Sequence, residues 1–224
     1  TRRQLKLDYD ATMTRNAAQA FEARSGNCLS LVVMTAALAR HLGLAVQFND
    51  VFADTTWSRS GDLMVASGHV NVTLGHRLGD DRFRSDGGRT LTIDFNPPEP
   101  GKRPLVRAIS EDTVAAMFLN NRAAEALADG RVNDAYWWAR AALLRAPTYT
   151  AAYSTLAVSY LRHGLPERAE AVLRHVLEHE PANTLMLANL VRALEAQGRP
   201  AEARSVAQRL AQIEPTPPFH YFNL

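Results

Sequence analysis

Ser25-Gly26-Asn27-Cys28-Leu29-Ser30-Leu31-Val32-Val33-Met34-Thr35-Ala36-Ala37-Leu38-Ala39-Arg40 reads as a turn running straight into a helix that is apolar on every side. A helix without a polar face is buried rather than laid on a surface. The stretch therefore sets a buried helix at the centre of the first half of the chain, with the only cysteine of 224 residues at its first turn. There the leading backbone N–H groups lack intrahelical acceptors and the helix dipole favours an anion, a setting suited to a thiolate nucleophile. A lone buried cysteine also has an inert reading, as a small hydrophobe, and the flanking sequence has to choose between the two.

Working outward toward the N-terminus, Thr1 to Tyr9 is polar and basic and reads as an extended or poorly ordered lead-in. Asp10 or Thr12 is the expected cap of a first helix running through Met13, Ala17, Ala20 and Phe21 to Ser25-Gly26. In the other direction the buried helix stops at Gly43, and Ala45 to Phe52 reads as a strand. Ala53 to Ser67, with the polar run Ser58-Arg59-Ser60-Gly61-Asp62, reads as a long loop bordering a site, with Trp57 either a wall of that site or a pin to the core.

Gly68 to Leu74 and Thr90 to Phe95 alternate as strands, joined by a turn-rich connection from His76 to Gly88. An antiparallel hairpin centred near Asp81 and Arg82 sets His69 opposite Asp94, Asn71 opposite Thr92 and Thr73 opposite Thr90 on one face. Val70, Val72, Leu91 and Ile93 fall on the other. A histidine and an aspartate thus become neighbours on the polar face, with Asn27, Trp57, Gly68 and Asn71 as residues expected to line the site. Asn96-Pro97-Pro98-Glu99-Pro100-Gly101 ends the sheet and marks a boundary between an α+β domain over 1–109 and an all-α domain over 110–224.

The second half is periodic. Pro147, Pro181 and Pro215 are spaced by 34 residues, as are Gly130, Gly164 and Gly198, and Ala135, Ala169 and Ala203 keep step. Glycine at the turn, alanine where two helices cross and proline closing each unit are the tetratricopeptide signature at that interval. The units fall at about 116–149, 150–183 and 184–217, with 218–224 as the start of a fourth, which implies a chain that continues. The first helix of each unit lines the inner groove, which puts Asn120, Ala124, Ser154, Val158, Arg162, Ala188 and Arg192 there, with Asn120, Ser154, Arg162 and Arg192 the partner-binding candidates. The matched Lys and Asn set of a C-terminal carboxylate clamp is missing from it, and an extended peptide or a protein partner is the natural cargo of such a surface.

Bulk properties exclude several classes. The longest apolar stretch, Leu31 to Ala39, is well short of the roughly 18 residues a membrane span needs. The balance of 25 basic against 23 acidic side chains leaves +2, too little to argue for nucleic acid. One cysteine excludes an intrachain disulfide and a multi-cysteine zinc site. His175-x-x-Glu178-His179 matches an inverted zinc-peptidase pattern on a helix face expected to be solvated, and Asp80, Asp81 and Asp86 sit in a polar turn; neither is read as a metal site, and no cofactor is expected.

Gly26-Asn27-Cys28 opening a buried helix, Gly68-His69 on a strand and Ile93-Asp94 on the next resemble the transglutaminase-like superfamily. With the repeats, the order looks most like the bacterial SirB1-type transglutaminase-like proteins, and the resemblance covers almost the whole chain. It implies a papain/transglutaminase-like α+β domain followed by the repeat array. In many of those relatives the position of Cys28 is proline; this chain keeps the thiol. Leu29 stands where true transglutaminases commonly have Trp, which weakens protein cross-linking as the reaction. The resemblance implies Cys28 as nucleophile, His69 as its base and Asp94 as the group that orients the imidazole. The implied chemistry is that of a thiol peptidase or amidase, with acyl transfer to an amine as a variant. The oxyanion would be held by the Cys28 backbone N–H together with Gln19 or Gln47. A catalytically silent adaptor that binds a partner through its repeats is the other reading. Relatives of this kind imply a periplasmic or envelope-associated setting, with the cytoplasm as the alternative.

Overall fold

The computed structural model describes residues 6–60, 63–77, 90–97 and 104–213, of which 52–60, 63–67 and 76–77 as backbone. Two compact units divide the chain, residues 1–114 and 115–224.

Asn27 decides where the buried helix begins. Its backbone is extended and its Oδ1 accepts the Ser30 N–H at 2.9 Å, which makes Cys28 the first residue of α2, Cys28–His41. Leu29, Ser30, Leu31, Val32, Met34, Ala36 and Ala39 of α2 are buried, while Leu38 near its C-terminal end is exposed. Before α2 come β1 (Asp8–Tyr9), α1 (Ala17–Ala23) and β2 (Ser25–Gly26).

The cap expected at Asp10 or Thr12 is instead Asn16. Asn16 Oδ1 accepts the Gln19 N–H at 2.9 Å and Gln19 Oε1 accepts the Asn16 N–H at 3.0 Å, a capping box. Asp10 accepts the Thr12 N–H at 2.9 Å and pairs with Arg15 at 2.7 Å, because a short acidic side chain bonds the backbone two residues on and so competes with helix. The lead-in is ordered at its end. β1 pairs parallel with β2, Asp8 beside Ser25 and Tyr9 beside Gly26, through Asp8 N–H to Arg24 O at 2.9 Å and Asp10 N–H to Gly26 O at 3.0 Å.

The sheet is antiparallel, with β3 (Leu44–Ser60), β4 (Leu63–Arg77), β5 (Leu91–Ile93) and β6 (Leu105–Ile109) in the order β5-β4-β3-β6. The long loop expected over Ala53 to Ser67 is a strand pair instead: β3 and β4 continue in register from Thr56 opposite Ser67 to Ser60 opposite Leu63, after an irregularity between Val51 and Thr56. Pairing satisfies the N–H and C=O groups that the two strands turn toward each other, so a polar sequence is no obstacle to a ladder.

Alternation along the ladder sorts the side chains. Phe48, Val70 and Val72 share one face and are buried; Asn49, His69, Asn71 and Thr73 share the other. Ala20, Leu31 and Met34 pack together with Phe95, which joins α1 and α2 to the segment that follows β5.

The boundary of the second unit falls within the first turn of α3 (Glu111–Ala128), and α4 (Val132–Arg145), α5 (Thr150–Arg162), α6 (Pro166–His179), α7 (Thr184–Ala196) and α8 (Pro200–Ile213) follow. The interval of 34 residues seen in the sequence returns as geometry. Gly130, Gly164 and Gly198 are left-handed, φ +74°, +71° and +69°, and the next residue's N–H closes each turn, on Ala126 O, Tyr160 O and Leu194 O. Pro166 and Pro200 each open the following helix, where a missing N–H costs nothing. Ala135, Ala169 and Ala203 are all buried, small enough to let neighbouring helices approach. Pro215 and the expected fourth unit lie outside the described residues.

Candidate functional site

The site is assembled at the N-terminal end of α2. Gly26 is forced to be small: a Cβ there would stand 2.6 Å from Ser30 Cβ. Ser30 is fully buried, donates through Oγ to Asn27 Oδ1 at 2.8 Å and accepts the Arg15 N–H at 2.8 Å. Asn27 Nδ2 donates to Thr14 Oγ1 at 2.8 Å. The Asn27 side-chain oxygen is thus spent on the helix start and its nitrogen on Thr14. Asn27, expected to line the site, N-caps α2 directly before Cys28.

Cys28 is half-buried and free of any disulfide. Its side chain hydrogen-bonds to His69, and that bond, opposed by burial and seconded by Asp94, holds the imidazole above the ordinary histidine range. His69 Nε2 lies 2.7 Å from Asp94 Oδ1, which leaves Nδ1 as the ring nitrogen for the sulfur. Asp94 Oδ1 also accepts the Asn96 N–H at 3.0 Å, and Oδ2 accepts from Asn71 Nδ2 at 3.2 Å.

The hairpin register differs from the one expected. Val72 faces Ile93, Thr73 faces Thr92 and Leu74 faces Leu91, a slip of two residues. A slip of two preserves which face each side chain occupies, so Asp94 reaches His69 on the diagonal rather than directly across. The observed register, continued by one residue, puts Asn71 directly across from Asp94. Behind it, Asn49 Nδ2 donates to Asn71 Oδ1 at 2.9 Å and to Thr73 Oγ1 at 3.0 Å, and Thr73 Oγ1 lies 2.9 Å from Thr92 Oγ1. Asn49 and Asn71 are both buried. Because the Asn71 oxygen is taken by Asn49, its amide nitrogen must turn toward Asp94. Asn49 was not singled out from sequence; its place on the polar side of the alternation was the one available signal.

Both glutamines expected to donate to an oxyanion make local hydrogen bonds. Gln19 is turned onto the start of its own helix. Gln47 Nε2 donates to Phe48 O at 2.8 Å and Ile109 O at 3.5 Å, on the β6 side of the sheet. Local backbone partners outcompeted the longer reach in both cases. Besides His69, the Tyr9 side chain meets Cys28. Its hydroxyl accepts the Cys28 backbone N–H and contacts the sulfur side chain; burial, then the sulfur's charge, raise the phenol's ionisation above its ordinary range. Gly68 is exposed beside His69, and Trp57 lies on β3 opposite Ala66.

A sulfur, an imidazole and a carboxylate joined in that order can move a proton from sulfur to nitrogen and keep the resulting imidazolium oriented. Among the described residues no group of three or more His, Cys, Asp or Glu side chains gathers to hold a metal ion; His175 and His179 make a ring contact on α6. Asp80, Asp81 and Asp86 lie outside the described residues.

In the repeat unit, Asn120 is buried and its Oδ1 has no hydrogen-bond partner. Ser154 is buried and accepts from Asn189 Nδ2 at 2.8 Å, a bond between consecutive repeats. Arg162, expected to face a partner, donates to Leu127 O at 2.9 Å and so caps the end of α3, because the last carbonyls of a helix need donors. Arg192 is half-buried on α7.

Comparison with known proteins agrees with the second unit: residues 161–222 match the tetratricopeptide repeat family. No curated protein matches the chain. The class is therefore an α+β protein with a helical repeat region of the tetratricopeptide type, and such repeats mark the chain for protein–protein interaction. No helix among the described residues is long and apolar enough to cross a membrane.

Proposed function

We propose that the first unit is a papain/transglutaminase-like domain that performs thiol-dependent acyl chemistry on a protein or peptide, and that the repeats recruit the substrate or a partner. The observation that carries this reading is His69, held between the Cys28 side chain and Asp94. His69 Nδ1 takes the thiol proton, and the thiolate attacks a carboxamide or peptide carbonyl. The C–S bond forms, the C=O pair moves to oxygen, and the C–N bond breaks as the imidazolium returns the proton to the leaving amine. Water or an incoming amine then cleaves the thioester, giving hydrolysis or transfer. Asp94, fixed by Asn71 and the Asn96 N–H, keeps the ring in the tautomer this sequence needs.

A second reading is favoured by the family match, which covers repeats alone: an adaptor in which the cysteine is silent and partner binding is the whole function. An acyl-reactive probe in wild type and in Cys28→Ala separates the two. Adducts on Cys28 by mass, lost in Cys28→Ala and strongly reduced in His69→Ala, support the enzyme; equal labelling of wild type and Cys28→Ala, or none, leaves the adaptor.

A further inference from the structure

An acyl transfer at Cys28 places negative charge on the substrate carbonyl oxygen, close to the backbone N–H of the attacking residue. One N–H leaves that charge half-supported; Gln47 spends its amide nitrogen on backbone carbonyls, and the Gln19 amide is tied through its oxygen to the Asn16 N–H. The Tyr9 side chain reaches this point. The backbone of Tyr9 is held in place by pairing. The parallel pairing of Tyr9 with Gly26 sets it beside the turn that opens α2, and the Asp10 N–H to Gly26 O bond at 3.0 Å ties the next residue to the same turn. Beyond it, Asp10 is locked to Thr12 and Arg15, and Arg15 N–H to Ser30 Oγ at 2.8 Å fastens the segment to α2 itself.

Resting on the acyl-chemistry reading, we propose that the Tyr9 phenol is the second oxyanion donor of this site, a catalytic residue alongside the Cys28 N–H. In the resting site the hydroxyl oxygen accepts the Cys28 N–H and its O–H faces the sulfur. When the C–S bond forms, the charge leaves sulfur for the carbonyl oxygen. That oxygen takes over the Cys28 N–H, and the phenol O–H turns from sulfur to oxygen. No proton changes owner in this step: the thiol proton is already on His69, and Tyr9 donates a hydrogen bond that follows the charge. With 51% of its surface exposed, the Tyr9 side chain has room for the small displacement required.

The test compares two reactions of Cys28 in the full chain. Iodoacetamide alkylates the sulfur without forming an oxyanion; p-nitrophenyl acetate acylates it through one. Tyr9→Phe removes a single oxygen from a half-exposed ring. The expected result is a ratio of acylation rate to alkylation rate lowered on the order of 10²-fold in Tyr9→Phe, the loss typical of one oxyanion donor. An unchanged ratio, with both rates falling together, overturns the proposal and confines Tyr9 to the sulfur. Faster acylation in Tyr9→Phe also overturns it, making the phenol a plug. The parent reading fails separately: a wild type that acylates no faster than Cys28→Ala removes the acyl chemistry, whatever Tyr9 does.

Discussion

His69 is the residue on which both the proposed chemistry and its pH behaviour turn. The hydrogen bond to Cys28, with the help of Asp94 and against burial, raises its pKa above 6.5. A base whose folded pKa is raised adds stability that is fully present below the unfolded value and is lost as pH rises through the folded one. The ring's titration, followed by NMR of its Cε1 proton, is expected to have its midpoint above 6.5 and to move down in Cys28→Ala, which deletes the largest cause. A midpoint that stays put in Cys28→Ala would show that the sulfur is not what holds the proton. Tyr9 and Asn49 belong to the same scale. Both complete the site, and both escaped the sequence, because nothing in a Tyr or an Asn announces which distant atom it will bond.

At the scale of elements, the start of α2 depends on a glycine that allows close contact. Gly26→Ala drives a methyl into Ser30, and the shift it forces is expected to cost about 1–3 kcal/mol, as overpacking of a tight site does. Loss of the first unit's denaturation midpoint in urea measures it, and a midpoint equal to wild type would mean that α2 can slide. Glu170 of α6 meets Arg174 of its own helix at 2.7 Å and, from the next repeat, Gln197 at 2.8 Å and Arg199 at 2.5 Å. Burial opposes its charge, yet the bonds from Gln197, Arg174 and Arg199 outweigh it and lower its pKa. A lowered carboxylate pKa gives stability that is present above the unfolded value and lost as pH falls through the folded one. Thermal melts of Glu170→Gln should therefore lie below wild type at neutral pH, with the gap closing in acid. A gap independent of pH would assign the loss to packing.

For the whole molecule, the division into units 1–114 and 115–224 means two hydrophobic cores, each with its own internal contacts. Gly26 and Gly164 share no partner: one packs on Ser30, the other closes a left-handed turn between α5 and α6. Gly164→Ala places a Cβ at φ +71°, a strain of about 1–2 kcal/mol. Combined with Gly26→Ala, the two losses should add within about 0.5 kcal/mol, as for independent sites. Calorimetry of the single and double variants reads this directly, and a clear departure from the sum would join the two cores into one cooperative body.

The repeats were legible in the sequence because their determinants are local and recur: a glycine that must go left-handed, an alanine where helices touch and a proline at a helix start each act within a few residues. The buried helix and its cysteine were legible for the same reason, since a capping Asn and an apolar run need no distant partner. The face on which His69 and Asp94 meet could be read from alternation alone, but not the register, which slipped by two residues without changing the face. Polarity suggested a loop over 53–67 where strand pairing made a ladder. Which oxygen would stand at the Cys28 N–H was a tertiary decision: it required a two-residue strand from the N-terminal segment to pair beside Gly26, a contact between stretches whose sequences carry no mark of one another.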